Sequence, residues 1–135
     1  MIVVALSDKN EIILKREYRP GVQKMVFELP AGYIEKGETP RQAALSELQD
    51  EMGYKSRKIQ KVGELYRSPK RLTQVTTVFL AKDLKWKGQN LEADEHGIEI
   101  SFVPYKKVVK MIKDGEIKDM ATIAAIMMAM SKLVL

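Results

Sequence analysis

Three carboxylates near the middle of the chain could hold a metal ion. Asp50 and Glu51 follow Glu47 by three and four residues. These spacings place side chains on one face of a helix. Like charges so placed destabilise a helix by roughly 0.2–0.5 kcal/mol per pair, and the dipole of the helix C-terminus adds to the cost. A bound Mg²⁺ or Mn²⁺ would offset both, because these ions prefer clustered carboxylate oxygens. The alternative is a solvated acidic face with Lys55 and Arg57 nearby.

The helix that carries these carboxylates has a clear start and end in the sequence. Thr39 is the predicted N-cap, Pro40 suits the first helical position, and Gln42 completes a capping box. Gly53 is the natural C-terminal stop. The apolar residues lie on a neighbouring stripe that can face a core: Ala44, Leu45, Leu48 and Met52.

The other elements follow from apolar runs and turn residues. Strands are predicted at 2–6, 11–19, 23–29, 57–66, 74–81 and 98–103, and helices at 105–113 and 119–133. The polar stretch 83–97 is predicted to be a long loop of the kind that often has a function. Strands with one central helix and two late helices indicate an α+β fold, or a mixed sheet between helices.

The composition is that of one soluble globular domain, covering residues 1–135. Hydrophobic residues make up 45% and charged residues 30%, and no apolar run approaches the ~20 residues of a membrane span. There is no recognisable signal peptide and no Cys, which is compatible with a cytoplasmic location. The net charge of +5 favours an anionic binding partner, and a phosphorylated small molecule is the partner expected. With 7% aromatics and no basic block, a specific nucleic-acid surface is not supported.

The last predicted helix is rich in methionine. Four methionines occur in it: Met120, Met127, Met128 and Met130. A Met stripe at helical spacing usually fills a core. The main alternative is a contact between two copies of the chain.

The stretch from Gly32 to Tyr54 as a whole resembles the Nudix box. That pattern is a Gly, five residues, Glu, seven residues, Arg-Glu, an aliphatic residue, any residue, Glu-Glu, any residue, Gly and an apolar residue. The matching positions are Gly32, Glu38, Glu47, Leu48, Glu51 and Gly53. Asp50 stands where the family has Glu. Ser46 stands where the family has the Arg that pairs with a loop carboxylate, so a less rigid loop is expected.

The flanks resemble one branch of that family, the ADP-ribose pyrophosphatases. The similar stretches are Arg16–Arg19, Glu28–Gly32, Asp94–Glu95, Gly115–Ile117 and Asp119–Thr122. Pro69 lies fifteen residues beyond Tyr54, as in that branch, but Lys70 and Gln74 depart from its pattern. Many members have an additional N-terminal segment, so the resemblance implies a compact subtype.

The resemblance implies the Nudix fold and a divalent metal, Mg²⁺ or Mn²⁺. Glu47 and Glu51 are the implied main ligands, with Asp50 third and the carbonyl of Ala31 as a further one. Glu47 and Glu51 are therefore expected to be catalytic as well. Glu35 is expected to contribute to metal or substrate binding.

Other roles follow from the same resemblance. The general base is expected to be Glu95. Its rivals are Glu92, Asp94 and the single histidine, His96. Arg19 is expected to bind the substrate phosphates, because a guanidinium can hold two oxygens at once. Glu28 could contact the nucleoside or ribose, or could brace the loop instead. Phe27 or Tyr66 could stack on adenine, or either could belong to the core.

The leading functional hypothesis is a metal-dependent hydrolase that splits ADP-ribose into AMP and ribose 5-phosphate, as a homodimer. A second hypothesis is a Nudix enzyme for another nucleotide, such as a nucleoside triphosphate, a dinucleoside polyphosphate or another nucleotide sugar. A third is a Nudix-fold module that binds a nucleotide without turning it over. The departures at Ser46, Asp50, Lys70 and Gln74 would suit the third.

Overall fold

The fold is seen in a computed structural model that describes residues 1–95 and 97–133. The strands are β1 (Ile2–Ala5), β2 (Glu11–Arg19), β3 (Lys24–Glu28), β4 (Tyr54–Tyr66), β5 (Val75–Trp86) and β6 (Glu99–Pro104). The helices are α1 (Pro40–Met52), α2 (Tyr105–Lys113) and α3 (Met120–Ser131). Each predicted strand and helix is present, with small differences at the ends.

The strands form two three-stranded sheets. In the first sheet the order is β1-β5-β4, with β1 parallel and β4 antiparallel to β5. In the second sheet β2 lies between β3 and β6, and both pairings are antiparallel. A turn follows β1, and in it the Ser7 N–H donates to the carbonyl of Glu11. That turn carries the chain from the first sheet into the second.

The first sheet is covered on both faces. Val3 and Ala5 of β1 pack in one apolar cluster with α1, and Ile2 and Val4 pack in another with α2 and α3. Because successive strand residues point to opposite faces, a strand buried on both sides needs an unbroken apolar run. The prediction of a mixed sheet between helices is confirmed.

Helix α1 begins and ends as its sequence predicts. Thr39 Oγ1 accepts a hydrogen bond from the Gln42 N–H over 3.2 Å, and the Gln42 side chain accepts one from the Thr39 N–H over 2.9 Å. Gly53 has a left-handed φ of 79°, and its N–H donates to the carbonyl of Gln49. A Cβ at position 53 would collide with the ring of Trp86.

We expect Gly53→Ala to lower the free energy of unfolding by about 1–2 kcal/mol or more. The left-handed conformation alone costs a residue with a Cβ about that much, and the collision with Trp86 adds to it. Urea denaturation measures the change. Gly21→Ala is the matched control, because Gly21 has no positive φ and no atom lies within 4 Å of its added Cβ. Equal effects of the two substitutions would contradict this account of the helix end.

One predicted boundary is wrong. The loop expected at 83–97 begins later, because β5 continues to Trp86 and β4 begins at Tyr54, where these two residues pair. The end of this hairpin is largely solvated, so its polar residues lack the apolar run of a buried strand. Tyr54 and Trp86 stabilise it by an edge-to-face contact, with ring centroids 5.2 Å apart.

The methionines of α3 divide between the two interpretations. Met130 is buried and Met128 packs against the core, whereas Met120 and Met127 are 72% and 53% exposed. Core filling therefore accounts for only part of the stripe.

In the part of the chain that the structure describes, every helix is too short or too polar to cross a membrane.

Candidate active site

Helix α1 presents its carboxylates to β2. Glu51 is 3% exposed, and Glu47 and Asp50 are half-buried. The Glu51 carboxylate meets the ammonium of Lys15 on β2, which donates a hydrogen bond to Oε1 over 2.7 Å. The predicted helical face is therefore turned inward, and the alternative of a solvated acidic face does not describe Glu51.

Strands β2 and β3 supply an ion-pair network beside these carboxylates. Lys15, Glu17 and Arg19 alternate along β2 and so share one face. Lys15 Nζ lies 3.0 Å from Glu17 Oε2 and 4.0 Å from Glu28 Oε2 of β3. Arg19 donates to both carboxylate oxygens of Glu28 over 2.6–3.1 Å. Its guanidinium is thus already paired, and it would have to share this contact to hold a phosphate.

The crowding of charge changes the ionisation of two members of the cluster. Burial raises the pKa of Glu47 to about 7, with help from the nearby charges of Glu51, Glu95 and Asp50. Burial also raises the pKa of Glu51 to about 7, although the Lys15 ammonium partly offsets it. A further cation at this place would favour the charged carboxylates.

One oxygen of the cluster has no partner in the part of the chain that the structure describes. Glu51 Oε2 is buried and accepts no hydrogen bond from any described residue. Leaving a buried charged acceptor unpaired costs at least about 1–3 kcal/mol, and a hard cation would satisfy it. Within 1–95 and 97–133 no three acidic, His or Cys side chains are already arranged around one ion position. The carboxylate oxygens are suitable ligands for a divalent metal ion, but the side chains would have to move closer together to bind one.

The loop before α1 approaches the cluster closely. A Cβ at position 32 would lie 2.5 Å from Glu47 Oε1, so a larger residue there would have to displace the Glu47 carboxylate. Ala31, the residue before Gly32, lines a cavity together with Lys15 and Arg19. The residue implied to supply a carbonyl ligand therefore directly precedes the glycine that lies close to Glu47.

The loop between β5 and β6 brings Glu95 to the cluster. The Glu95 carboxylate is half-buried and close enough to raise the pKa of both Glu47 and Glu51. Its Oε2 also accepts a hydrogen bond from the Glu92 N–H over 2.8 Å. Glu92 and Asp94 are exposed. The fourth candidate for the base, His96, lies outside the described residues.

The same loop is anchored to the end of α1 by a residue that the sequence analysis missed. The side-chain amide of Gln89 donates to the Glu51 carbonyl over 2.7 Å, and the Asn90 N–H donates to the Asp50 carbonyl over 3.0 Å. These bonds satisfy carbonyls that a helix end leaves free. They connect the placement of Glu95 to the helix that carries the carboxylates.

The remaining predicted residues lie outside this cluster. Glu35 is exposed, and its N–H donates to Glu38 Oε2 over 3.2 Å within the loop. Phe27 packs against the core and under the guanidinium of Arg16. Tyr66 is 72% exposed at the end of β4.

A cavity of about 410 Å³ opens beside the ion-pair network. Its walls include Lys15, Arg19, Glu28, Ala31, Gly32, Tyr33, Arg67, Gln74, Thr76 and Asp119. Of the three basic residues in the walls, Lys15 and Arg19 are paired with carboxylates, whereas Arg67 makes no ion pair with any described residue. Arg67 was missed in the sequence analysis, because nothing in its local sequence distinguishes it from other surface arginines.

A family model for the NUDIX domain matches residues 1–125. The chain therefore belongs to the NUDIX family, and the family expected from the Gly32–Tyr54 stretch is confirmed. The predicted class of enzyme, a Nudix pyrophosphohydrolase, is confirmed with it.

Three known proteins, two of them from Bacillus, are similar to this chain over most of its length. An ADP-ribose pyrophosphatase of Bacillus subtilis is 34% identical over 125 residues, which are 92% of this chain and 68% of that protein. A methanol dehydrogenase activator of Bacillus methanolicus is 31% identical over 126 residues, with the same coverage. A GDP-mannose pyrophosphatase of Klebsiella pneumoniae is 29% identical over 119 residues, covering 82% of this chain and 60% of that protein.

A solved structure has the same fold. The crystal structure of an ADP compounds hydrolase superposes with a TM-score of 0.88 and covers 98% of this chain and 70% of its own. The sequence identity is 20%, so this likeness concerns the fold. The Nudix fold predicted from the resemblance is confirmed.

Proposed function

We propose that this protein hydrolyses the pyrophosphate bond of ADP-ribose, or of a related nucleoside diphosphate derivative, with Mg²⁺ or Mn²⁺ as cofactor. The products from ADP-ribose are AMP and ribose 5-phosphate. The observation that carries the proposal is the buried Glu51 Oε2, which has no partner among the described residues. It lies in a carboxylate cluster beside a cavity whose Arg67 forms no ion pair with any of those residues. The similarity to an ADP-ribose pyrophosphatase over 92% of the chain supports this substrate.

Glu47, Asp50 and Glu51 would hold the metal, together with the carbonyl of Ala31. When bound, a divalent ion supplies charge neutralisation at the phosphate oxygens and polarises a water molecule. Asp50 is half-buried and one methylene shorter than the Glu of the family pattern, so its contact would be direct or through water. Glu35 is exposed and outside the cluster, so a role in binding would require the loop to move.

Glu95 would act as the general base. A base must lie within hydrogen-bond reach of the water that attacks phosphorus, and a half-buried carboxylate next to the metal cluster suits this role. The water oxygen forms the new bond to phosphorus, and one of its two protons passes to Glu95. The bridging P–O bond breaks, and the other phosphate ester leaves with the bridging oxygen and the electron pair of that bond. The Gln89 and Asn90 hydrogen bonds would hold the β5–β6 loop, which carries Glu95, against α1 during this reaction.

Arg67 would bind the substrate phosphates. Arg19 is bound to both carboxylate oxygens of Glu28, whereas Arg67 offers the cavity a guanidinium without a protein partner among the described residues. Arg19 and Glu28 would then form one wall of the site, where Glu28 could contact the nucleoside or ribose.

We expect Arg67→Ala to raise KM for ADP-ribose by roughly 10–100-fold, because a hydrogen bond to a charged group contributes about 1.5–3 kcal/mol. The change in kcat should be smaller. Steady-state kinetics measures both. The matched control is Arg71→Ala, which removes the same charge from an exposed position nearby. If both variants raise KM equally, the cavity contact has no special role and only net charge matters.

A substrate panel tests the proposal. ADP-ribose, GDP-mannose, a nucleoside triphosphate and a dinucleoside polyphosphate are each incubated with Mg²⁺, and the products are separated by chromatography. We expect the highest kcat/KM with ADP-ribose. GDP-mannose is the second candidate because a GDP-mannose pyrophosphatase is also similar to this chain. A clear preference for any other member of the panel would overturn the substrate assignment.

A homodimer and a cytoplasmic location are also part of the proposal. Tyr66 and Met120 are both 72% exposed and line one groove next to the cavity. Exposed apolar side chains grouped in this way are typical of protein contact surfaces. The molar mass measured by light scattering decides between one chain and two.

A further inference from the structure

The side chain of Lys15 is almost completely buried among acids. It is 2% exposed, and its Nζ lies 2.7 Å from Glu51 Oε1, 3.0 Å from Glu17 Oε2 and 4.0 Å from Glu28 Oε2. Lysine is almost never this buried unless it is paired. Carboxylates from one helix and two strands thus converge on a single positive charge.

The Lys15 ammonium gives the two carboxylate oxygens of Glu51 different roles. Oε1 accepts the hydrogen bond from Lys15, whereas Oε2 is buried without a partner among the described residues. With Oε1 fixed, the carboxylate cannot turn freely. Oε2 is then the oxygen that remains for an external cation.

Lys15 also gives Glu51 a positive partner that no residue of α1 supplies. Position 46, where the family pattern has Arg, is an exposed Ser. The one basic residue in α1 is Arg41, which donates to the carbonyl of Ile59 on β4 over 2.6 Å. In the described part of the chain, the salt bridge to Glu51 comes from Lys15 alone.

We propose that the Lys15 ammonium is a built-in cation of this site: it neutralises Glu51 from the buried side, holds Oε1, and leaves only Oε2 for a divalent ion. Lys15 is a positioning residue in this role. The inference rests on the proposed function, since it takes Glu51 as a metal ligand. If Lys15 has this role, the folded protein is stable without metal. A bound metal ion then faces a cluster whose net negative charge is smaller by one than it would be without Lys15.

The direction of the effect follows from electrostatics. Removing a positive charge a few ångströms from an ion position strengthens the attraction for a divalent cation. Lys15→Met should therefore bind Mn²⁺ at least about tenfold more tightly than the unmodified protein. It should also melt at a lower temperature in EDTA and gain more from Mn²⁺, because binding to the folded state alone raises stability.

The test is Mn²⁺ titration by calorimetry, together with melting curves in EDTA and in saturating Mn²⁺. Lys15→Arg keeps the charge and should resemble the unmodified protein. Lys61→Met removes a lysine from an exposed pair with Glu64 and should change nothing. If Lys15→Met does not fold in EDTA, the same comparison is made between Glu17→Gln alone and Glu17→Gln with Lys15→Met.

The outcomes separate this inference from the proposed function. Equal or weaker Mn²⁺ binding by Lys15→Met, with measurable binding by the unmodified protein, would overturn the role of Lys15 and leave the metal site standing. No Mn²⁺ binding by any variant would overturn both. Tighter binding by Lys15→Met together with unchanged binding by Lys61→Met is the expected result.

Discussion

Glu51→Gln should lower kcat for ADP-ribose by about 10³-fold or more while the fold is kept. The substitution removes the charge of the best-placed metal ligand, and electrostatic groups of this kind contribute several kcal/mol to the transition state. The fold should survive because the amide oxygen of Gln can still accept the Lys15 hydrogen bond. Relief of repulsion from the neighbouring carboxylates offsets part of the lost ion pair.

Steady-state kinetics with Mg²⁺ measures the loss, and a circular dichroism melting curve checks the fold. Glu64→Gln is the matched control, since Glu64 is half-exposed and paired with Lys61 far along β4. It should retain full activity. Turnover by Glu51→Gln within tenfold of the unmodified protein would show that Glu51 is not a metal ligand of the working site.

The second large effect is expected at the base. Glu95→Gln should lower kcat by roughly 10²–10⁴-fold, the usual contribution of a positioned general base. Mn²⁺ affinity should change much less, because the metal would be held mainly from α1 and the preceding loop. A loss in kcat with nearly unchanged metal binding distinguishes a base from a ligand.

The two neighbouring carboxylates are the controls. Glu92→Gln and Asp94→Asn remove similar charges from exposed positions in the same loop and should leave kcat within a few-fold. If Asp94→Asn loses activity and Glu95→Gln does not, the base has been assigned one residue too late. If all three retain activity, the base lies elsewhere.

Local signals predicted helix α1 and the strands well. The capping box at Thr39, the stop at Gly53 and the apolar run of β1 depend on residues close in sequence, so no tertiary information was needed. The end of the β4–β5 hairpin was missed for the opposite reason. Its pairing of Tyr54 with Trp86 joins residues far apart in sequence.

The candidate site could be predicted where one element carries it. Glu47, Asp50 and Glu51 share a helix, so their spacing was informative. The role of Lys15 depends on the meeting of β2, β3 and α1, and in sequence it is one charge at the end of an apolar run. Arg67 and Gln89 are likewise defined only by what the folded chain brings near them.

The most direct test of the central claim is the release of AMP from ADP-ribose, followed by chromatography with Mg²⁺ and, in parallel, with excess EDTA. The proposal predicts AMP and ribose 5-phosphate in equal amounts with Mg²⁺ and neither with EDTA. No AMP with Mg²⁺, together with measurable binding of ADP-ribose by calorimetry, would contradict it and identify a nucleotide-binding module instead.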